Sequence, residues 1–207
     1  MKKYVRIIRQ ALVFSIVMVV ICGLLYPLAL TGVSQLTMHN KANGSLVYVD
    51  GEAVGAEFVG QDFSDPRLFK CRPSAVNYNT YTQEDKDNGN YGGVSSGSSN
   101  YGATNPELKK RVDAEIEAFL KANPDVKRED LPVDLFTVSG SGLDPHITTE
   151  AAIIQIPAIA KASGISEDEL HKIVENNTEG KVFGVFGEER VNVLGCNIEI
   201  SKLISLD

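Results

Sequence analysis

The sequence predicts an α+β protein: one N-terminal transmembrane helix, then a single extracytoplasmic domain with a small sheet and about three helices. Three observations support this fold class. A charge-free apolar run lies near the N-terminus, β-prone segments open and close the remaining chain, and amphipathic segments of helical period lie between them. Strands, then helices, then strands is an order typical of α+β domains.

The N-terminal apolar run is long enough to cross a bilayer. Between Ala11 and Leu30 the only polar aliphatic side chain is Ser15, and no residue is charged. Twenty helical residues rise about 30 Å, which matches the thickness of the hydrocarbon core. The run exceeds the roughly 7–15 apolar residues of a cleavable signal peptide, so an uncleaved anchor is favoured.

Small residues within the span indicate where another helix would approach. Ala11 and Ser15 lie four residues apart on one face, and Gly23 follows two turns later. Small side chains at this spacing allow close packing between membrane helices. A single helix cannot enclose a polar path, so the chain by itself is not predicted to be a transporter.

The charges that flank the span predict its orientation. Four basic residues precede it, whereas the first basic residue after it is Lys41. Because basic residues remain on the cytoplasmic side, the N-terminus is predicted to be cytoplasmic. The predicted organisation is a cytoplasmic tail at 1–10, a transmembrane helix at 11–31, a linker at 32–44 and an extracytoplasmic domain at 45–207, with a flexible loop at 77–104. This describes a single-pass protein of the cell membrane.

Net charge and cysteine spacing exclude several function classes. The chain carries a formal net charge of −7, with most of its basic residues spread singly. An acidic surface does not favour nucleic acid, which binds basic patches. Cys71 and Cys196 lie outside the span, where a disulfide is possible, but the sequence alone leaves their pairing open. No CxxC pattern occurs, so no metal site is predicted.

The first part of the domain is predicted to be a hairpin followed by a long loop. Asp50-Gly51 lies between two β-prone runs within 44–55, and this dipeptide is the strongest short hairpin signal. A further strand is expected at 56–59. Residues 77–104 are rich in Asn, Gly, Ser and Tyr, which predicts an exposed loop. Phosphate binding by its glycines is not favoured, because no GxxxxGK[ST] pattern is present.

Helices and then strands follow. Asn105 before Pro106 predicts a helix start, and Pro124 predicts its end. A second helix is expected over 148–163 with a kink at Pro157, and a third from a capping box at Ser166. Two terminal strands are expected at 181–186 and 191–200. The apolar face of the last strand changes parity midway, which suggests a bulge or a strand buried on both faces.

The run from Ser139 to His146, SGSGLDPH, brings serine, aspartate and histidine together in sequence. A hydrolase or an anchored ligand-binding module is therefore an alternative function. Triad members rarely lie side by side in sequence, and the run is not GxSxG, so a glycine-rich connection capped by Asp144 is favoured. Gln155, on the next helix, is interpreted first as a polar residue on a helix face.

Several of these runs resemble a known family. The sequence is similar to the KdpC subunits of the Kdp potassium-transporting ATPases. The runs that carry the resemblance occur in the family's order: Gly60 to Phe63, Arg72 to Ala75, Thr104 to Pro106, Ser139 to Ile147, Thr178 to Gly180, Gly187-Glu188, and Arg190 to Val193. The loop at 77–104 looks longer than is usual in the family.

The resemblance implies a non-catalytic, single-span subunit joined to a potassium-channel-like subunit and a P-type ATPase subunit. It implies a catalytic chaperone that stabilises the complex and promotes ATP binding by the hydrolysing subunit. ATP contact would fall, by this resemblance, on Ser139, Gly140, Ser141, Gly142 and Gln155. Other residues of the shared runs would be partner contacts or structural motifs: Arg72, Asp144, Pro145, His146 and Asn192.

The predicted orientation conflicts with direct ATP contact. Cytosolic ATP and an extracytoplasmic domain are separated by a layer about 30 Å thick. An effect on ATP affinity would then arise through coupling between packed helices, which linkage permits. The domain is predicted to brace or cap the outer potassium entrance of the channel-like subunit.

Overall fold

The computed structural model describes residues 2–204 and divides into two compact units, with the boundary between Leu46 and Val47. The first unit is mainly a long helix, and the second is an α+β domain, as predicted. Among the described residues one helix, Lys2–Thr37, is long and apolar enough to cross a membrane. Its most apolar 18-residue window has a mean hydropathy of 2.5, and none of that window is buried within the protein.

The long helix changes its winding just before a proline. Helix α1 is Lys2–Val20, a π-helical turn covers Ile21–Leu25, and helix α2 is Tyr26–Thr37. The amide of Tyr26 donates to the carbonyl of Ile21, five residues back. Pro27 lacks an N–H and its ring crowds the carbonyl four residues before it, so a wider turn here accommodates the proline without ending the helix.

A short helix, α3 (His39–Ala42), completes the first unit. The side chains of Gln35 and Asn43 exchange hydrogen bonds of 3.2 Å, and the Asn43 side chain also donates to the backbone carbonyl of His39 at 2.7 Å. These contacts close the chain back onto the end of α2.

The predicted hairpin is confirmed. Strands β1 (Leu46–Val49) and β2 (Glu52–Ala56) pair across Asp50 and Gly51, whose φ values are +51° and +86°. Both turn residues therefore occupy the left-handed region that a two-residue hairpin turn requires. The further strand expected at 56–59 is wrong, because the pairing there is one isolated bridge between Ala56 and Val59.

Residues 77–104 contain a 3₁₀ turn, Asn77–Asn79, and helix α4, Gln83–Asp87, which begins with a complete Thr82–Asp85 capping box. The predicted helix α5, Pro106–Ala122, follows with Asn105 as its cap. The Asn105 side chain accepts a 2.9 Å hydrogen bond from the amide of Glu107. Two 3₁₀ turns, Arg128–Asp130 and Val133–Leu135, lead to the SGSG segment.

The second sheet has the order β3-β5-β4, with β3 at His146–Ile147, β4 at Thr178–Glu179 and β5 at Arg190–Asn192. Both pairings are antiparallel, and β5 lies in the centre. Val191 is paired with Ile147 on one side and with Thr178 on the other, and it is fully buried.

The helices between β3 and β4 follow the predicted caps. Helix α6 is Thr149–Ile153, α7 is Ile156–Ser163 and α8 is Glu167–Asn176. One kinked helix over 148–163 was expected, but the helix breaks before Ile156, and Pro157 lies in the first turn of α7, where its missing N–H costs nothing. Gly164 ends α7 at φ +77°, and Ser166 caps α8.

The predicted terminal strands are wrong. Residues 181–186 hold only an isolated bridge between Val182 and Phe186, and helix α9, Val193–Leu203, occupies most of the segment expected to be a strand. The change of apolar parity near Val193 is the helical period: Val193, Cys196 and Ile200 are all buried at three- and four-residue spacing. Asn192 caps the helix, since its side chain accepts a 2.9 Å bond from Gly195 N.

The hydrophobic core lies where α6 to α9 meet the three-stranded sheet. Phe69, from an irregular segment before the helices, is fully buried in it. The remaining buried members come from the sheet and the helices: Ile147, Ala151, Ala152, Ile156, Ile159, Leu170, Ile173, Val174, Val191, Val193, Cys196 and Ile200. Leu170, Ile173 and Val174 are the core face predicted for α8. The described residues hold no disulfide, and Cys71 and Cys196 are both free thiols.

Candidate functional site

The SGSG run and Arg72 meet at one cluster. Arg72 Nη1 lies 3.3 Å from Asp144 Oδ2, and its other guanidinium nitrogens donate to the carbonyls of Thr137 and Val138 at 3.3 Å. The ring Nδ1 of His146 lies 3.6 Å from Asp144 Oδ1. Asp144 therefore lies between a guanidinium and an imidazole, and Arg72 links it to the chain just before Ser139.

Burial and charge act in opposite directions on Asp144. Burial by itself would raise the pKa of this carboxyl. The contacts with His146 and the positive charge of Arg72 outweigh burial, so the pKa of Asp144 lies below its ordinary value. The carboxylate is therefore ionised at neutral pH, and it also accepts a 3.1 Å hydrogen bond from the amide of His146.

The SGSG segment is a self-bonded turn. Ser139 Oγ accepts from the amide of Gly142 at 2.9 Å, and Ser141 Oγ accepts from the amide of Leu143 at 3.1 Å. Gly142 has φ +66°, and an added Cβ there would come within 2.7 Å of the Gly97 carbonyl. Two of the turn's amides are thus already occupied by its own serine hydroxyls.

Residues on both sides hold this turn. Ser74 Oγ donates to the Gly142 carbonyl at 2.6 Å. From the long loop, the amide of Gly97 and the hydroxyl of Ser96 both donate to the Ser141 carbonyl, at 2.7 and 3.0 Å. The low-complexity loop is therefore in contact with the SGSG turn, a contact that its composition did not predict.

Asp144, Pro145 and His146 connect the turn to the sheet. The amide of Val193 donates to the Pro145 carbonyl at 3.1 Å, and His146 pairs with Asn192 in the β3–β5 register. The Asn192 side chain donates to the carbonyl of Glu57 at 2.9 Å as well as capping α9. Asn192 thus ties the segment after the hairpin to the start of the last helix.

Comparison with known proteins identifies the family. The family description "K+-transporting ATPase, c chain", KdpC, matches residues 8–202. The chain belongs to the KdpC family. A protein from Clostridium kluyveri named "Potassium-transporting ATPase KdpC subunit" is 57% identical over 206 residues, covering 100% of this chain and 98% of its own length. Two proteins of the same name are also similar. The one from Clostridioides difficile is 63% identical, covering 96% of this chain and 98% of its own length, and the one from Caldanaerobacter subterraneus is 44% identical, covering 95% of each chain.

In this KdpC-family domain two buried amide side chains hold one irregular segment. Asn197 Oδ1 accepts from the amide of Phe69 at 2.8 Å, and its Nδ2 donates to the Phe69 carbonyl at 2.9 Å. Gln155 binds the next residue in the same way, since Oε1 accepts from Lys70 N at 2.9 Å and Nε2 donates to Lys70 O at 3.3 Å. Both amides are almost fully buried, at 4% and 6% exposure.

The residues predicted for nucleotide contact lie in the SGSG turn, from Ser139 to Gly142, and at Gln155 on the segment before α7. The side-chain amide of Gln155 is hydrogen-bonded to the backbone of Lys70, and its Nε2 also donates to the Ala151 carbonyl at 3.0 Å. The hydroxyl oxygens of Ser139 and Ser141 each accept a hydrogen bond from an amide of the turn. Asn197 was missed by sequence reasoning, because it fell within a segment expected to be a strand.

A cleft in the described domain lies beside Gln155 and Lys70. It has a volume of about 590 Å³ and is lined by Phe63, Leu68, Cys71, Phe119, Leu135 and Ile159, among others. Burial raises the pKa of the Cys71 thiol to about 12, so it is a neutral thiol and a poor nucleophile. Among the described contacts, the His146 ring has no hydrogen bond to a serine hydroxyl, and its Nε2 has no partner. This arrangement does not assemble a Ser-His-Asp triad.

The residues predicted to lie in a membrane span, Ala11, Ser15, Gly23 and Leu30, are all on the long helix and are exposed. Gly23 falls within the π-helical turn. No cluster of three or more His, Cys, Asp or Glu suited to a metal ion occurs in residues 2–204.

Proposed function

We propose that this chain is the accessory subunit that stabilises a potassium-transporting ATPase complex and promotes ATP binding and turnover by its P-type ATPase subunit. The observation that carries the proposal is the match to the KdpC family, which includes both the long apolar helix and the domain. The proposed partners are a potassium-channel-like subunit, the P-type ATPase subunit and the surrounding lipid.

The proposal puts the domain outside the cytoplasm, at the potassium entrance of the channel-like subunit. Its support is the charge asymmetry around the helix, with Lys2, Lys3, Arg6 and Arg9 before the apolar run and Lys41 as the first basic residue after it. A bilayer about 30 Å thick would then separate the domain from cytosolic ATP.

Promotion of ATP binding is therefore proposed to be indirect. A subunit that binds one state of the pump more tightly shifts the pump toward that state, and linkage transmits the shift to the ATP site. Such couplings typically change affinity by about 5–150-fold. The hydrogen bonds within the SGSG turn and the Gln155–Lys70 pair support a structural part for these residues in this scheme.

The test compares the complex containing the full chain with a complex in which residues 45–207 are removed and the helix is kept. The expected result is weaker co-purification of the subunits, or a rise in the ATP concentration needed for half-maximal potassium-stimulated hydrolysis. A full chain carrying Val133→Ser, an exposed position at 73%, serves as the matched control and is expected to behave as wild type. Unchanged assembly, potassium affinity and ATPase rate in the truncated complex would reject the proposal.

A further inference from the structure

Four large apolar side chains protrude from one short loop between β4 and β5. Val182, Phe183, Val185 and Phe186 are 59%, 90%, 74% and 67% exposed, and we call them the apolar knob. The function proposed above uses none of them. Single exposed apolar residues are common on protein surfaces, but four within five positions need an explanation.

The backbone of the knob is hydrogen-bonded to itself. Val182 N donates to Phe186 O at 2.8 Å, and Phe186 N donates back to Val182 O at 3.0 Å. The amides of Gly184 and Val185 donate to the carbonyls of Lys181 and Val182, at 3.0 and 3.2 Å. Four of the five amides in 182–186 are thus satisfied within the loop. These bonds lower the cost of entering an apolar environment, because an unpaired backbone group is costly there.

The loop also fixes the direction of its side chains. Phe183 has φ +54°, and the neighbouring glycines Gly184 and Gly187 have φ +71° and +84°. A phenylalanine in the left-handed region is unfavourable, and here its ring gains no packing within the domain to offset that cost. The hydrogen-bonded turn therefore holds the ring away from the domain, in a position where lipid or another apolar surface could cover it.

Of the five charged residues at the base of the knob, four are paired within the domain, and the fifth, Glu189, is acidic. Lys181 Nζ lies 3.2 Å from Glu188 Oε2, and Arg190 Nη2 lies 2.6 Å from Glu179 Oε2. Such a base offers no cluster of lysines or arginines to attract anionic headgroups. It is compatible with the interface of a bilayer made of zwitterionic lipid.

We propose that the apolar knob inserts into the interfacial region of the lipid bilayer. The chain carries its own candidate membrane helix, so the domain is tied to a bilayer and even a weak second contact is reinforced by tethering. Two phenylalanines and two valines on a self-bonded turn are the chemistry that enters the acyl boundary. The contact does not depend on anionic lipid.

The protein contains no tryptophan, so one introduced tryptophan reports on its own surroundings. Phe183→Trp in the full chain, placed in phosphatidylcholine nanodiscs, is expected to emit at shorter wavelength than in water and to be quenched by acyl-brominated lipid. Val133→Trp, at a position 73% exposed outside the knob, is the matched control and should show water-like emission without quenching. Unquenched, water-like emission from Phe183→Trp would overturn the proposal.

Three further measurements test the lipid contact, and the last of them separates it from contact with a protein partner. Adding Val182→Ser and Phe186→Ser to Phe183→Trp should remove most of the bromine quenching while far-UV circular dichroism stays the same. Replacing half of the phosphatidylcholine with anionic lipid should leave the quenching unchanged or lower it. In the assembled complex, a blue-shifted emission without bromine quenching would mean that the knob packs against another subunit, and the lipid proposal would then be wrong.

Discussion

The buried amide of Asn197 is expected to contribute more to the stability of the domain than any surface ion pair. Its two hydrogen bonds satisfy both the N–H and the C=O of Phe69, a residue that is 0% exposed. The substitution Asn197→Leu keeps a similar shape but leaves both backbone groups without a partner. Each buried unsatisfied group costs about 1–3 kcal/mol, so a loss of roughly 2–6 kcal/mol is expected.

Gln155→Met is the matched comparison, because it removes the same pair of side-chain hydrogen bonds from the backbone of the next residue, Lys70. Lys70 is exposed, so water can replace the lost bonds to its backbone. The cost should be smaller, about 1 kcal/mol. Since a domain is stable by only about 5–15 kcal/mol, Asn197→Leu is expected to remove a large part of the total.

The assay is urea unfolding of the full chain in detergent micelles, followed by circular dichroism at 222 nm. The expected order of midpoints is wild type above Gln155→Met, with Asn197→Leu clearly lowest. Equal midpoints for the two variants, or an Asn197→Leu variant as stable as wild type, would refute the inference that the hydrogen bonds between Asn197 and Phe69 lie in a core without water.

Three further outcomes follow from particular contacts. Gly60→Ala would bring a Cβ within 2.5 Å of the Asp144 carbonyl oxygen, so it should lower the urea midpoint of unfolding. Gly140→Ala is the control, because a Cβ there would have no atom within 4 Å and should have little steric effect. Equal midpoints for the two variants would contradict this prediction. Asp144→Asn should cost about 0.5–1 kcal/mol near pH 7, as for a partly exposed ion pair, and this cost should shrink as the pH falls through the lowered pKa of Asp144. A carboxyl whose pKa is lowered by folding stabilises the folded state at pH values above its unfolded pKa, and this stabilisation is lost as the pH falls. A cost of Asp144→Asn that persists unchanged in acid would contradict this reasoning. Burial raises the pKa of Cys71 and Cys196 to about 12, so stability should fall as pH rises above about 9, where unfolded thiols ionise; a flat urea midpoint from pH 8 to 10.5 would contradict this.

Local signals in the sequence predicted the elements that depend on local chemistry. Asp50-Gly51 predicted the hairpin, and Asn105 and Ser166 predicted two helix starts, because turns and caps are decided by neighbouring residues. The core face of α8 also followed from spacing alone. The family resemblance, carried by short runs of residues, was confirmed by the match over residues 8–202.

The elements that the sequence did not predict correctly depend on contacts between distant parts of the chain. Strands β3, β4 and β5 have two or three residues each, too few for a periodic signal, and they exist because the chain brings them together. Helix α9 was expected to be a strand, since its apolar residues satisfy both periods over a short stretch. The Asn197–Phe69 pair joins positions 128 residues apart, and a single sequence holds no signal for such a contact.

The candidate site was predicted in part. The sequence singled out the SGSG turn, Arg72, Asp144 and His146, and the structure brings Arg72, Asp144 and His146 into one cluster. It did not predict that the 77–104 loop contacts that turn, because low-complexity composition carries no information about partners. The assignment of nucleotide contact to Gln155 rested on resemblance alone, and its buried pairing with Lys70 became visible only in three dimensions.

The side of the membrane on which the domain lies decides most of the proposed function, and site-directed labelling measures it directly. Ser99 is exposed within the long loop, and Lys3 is exposed in the basic tail. Ser99→Cys in the assembled complex should react with a membrane-impermeant maleimide added to intact spheroplasts, whereas Lys3→Cys should react only after lysis. Labelling of Lys3→Cys from outside, with Ser99→Cys protected until lysis, would contradict the proposed extracytoplasmic action of the domain.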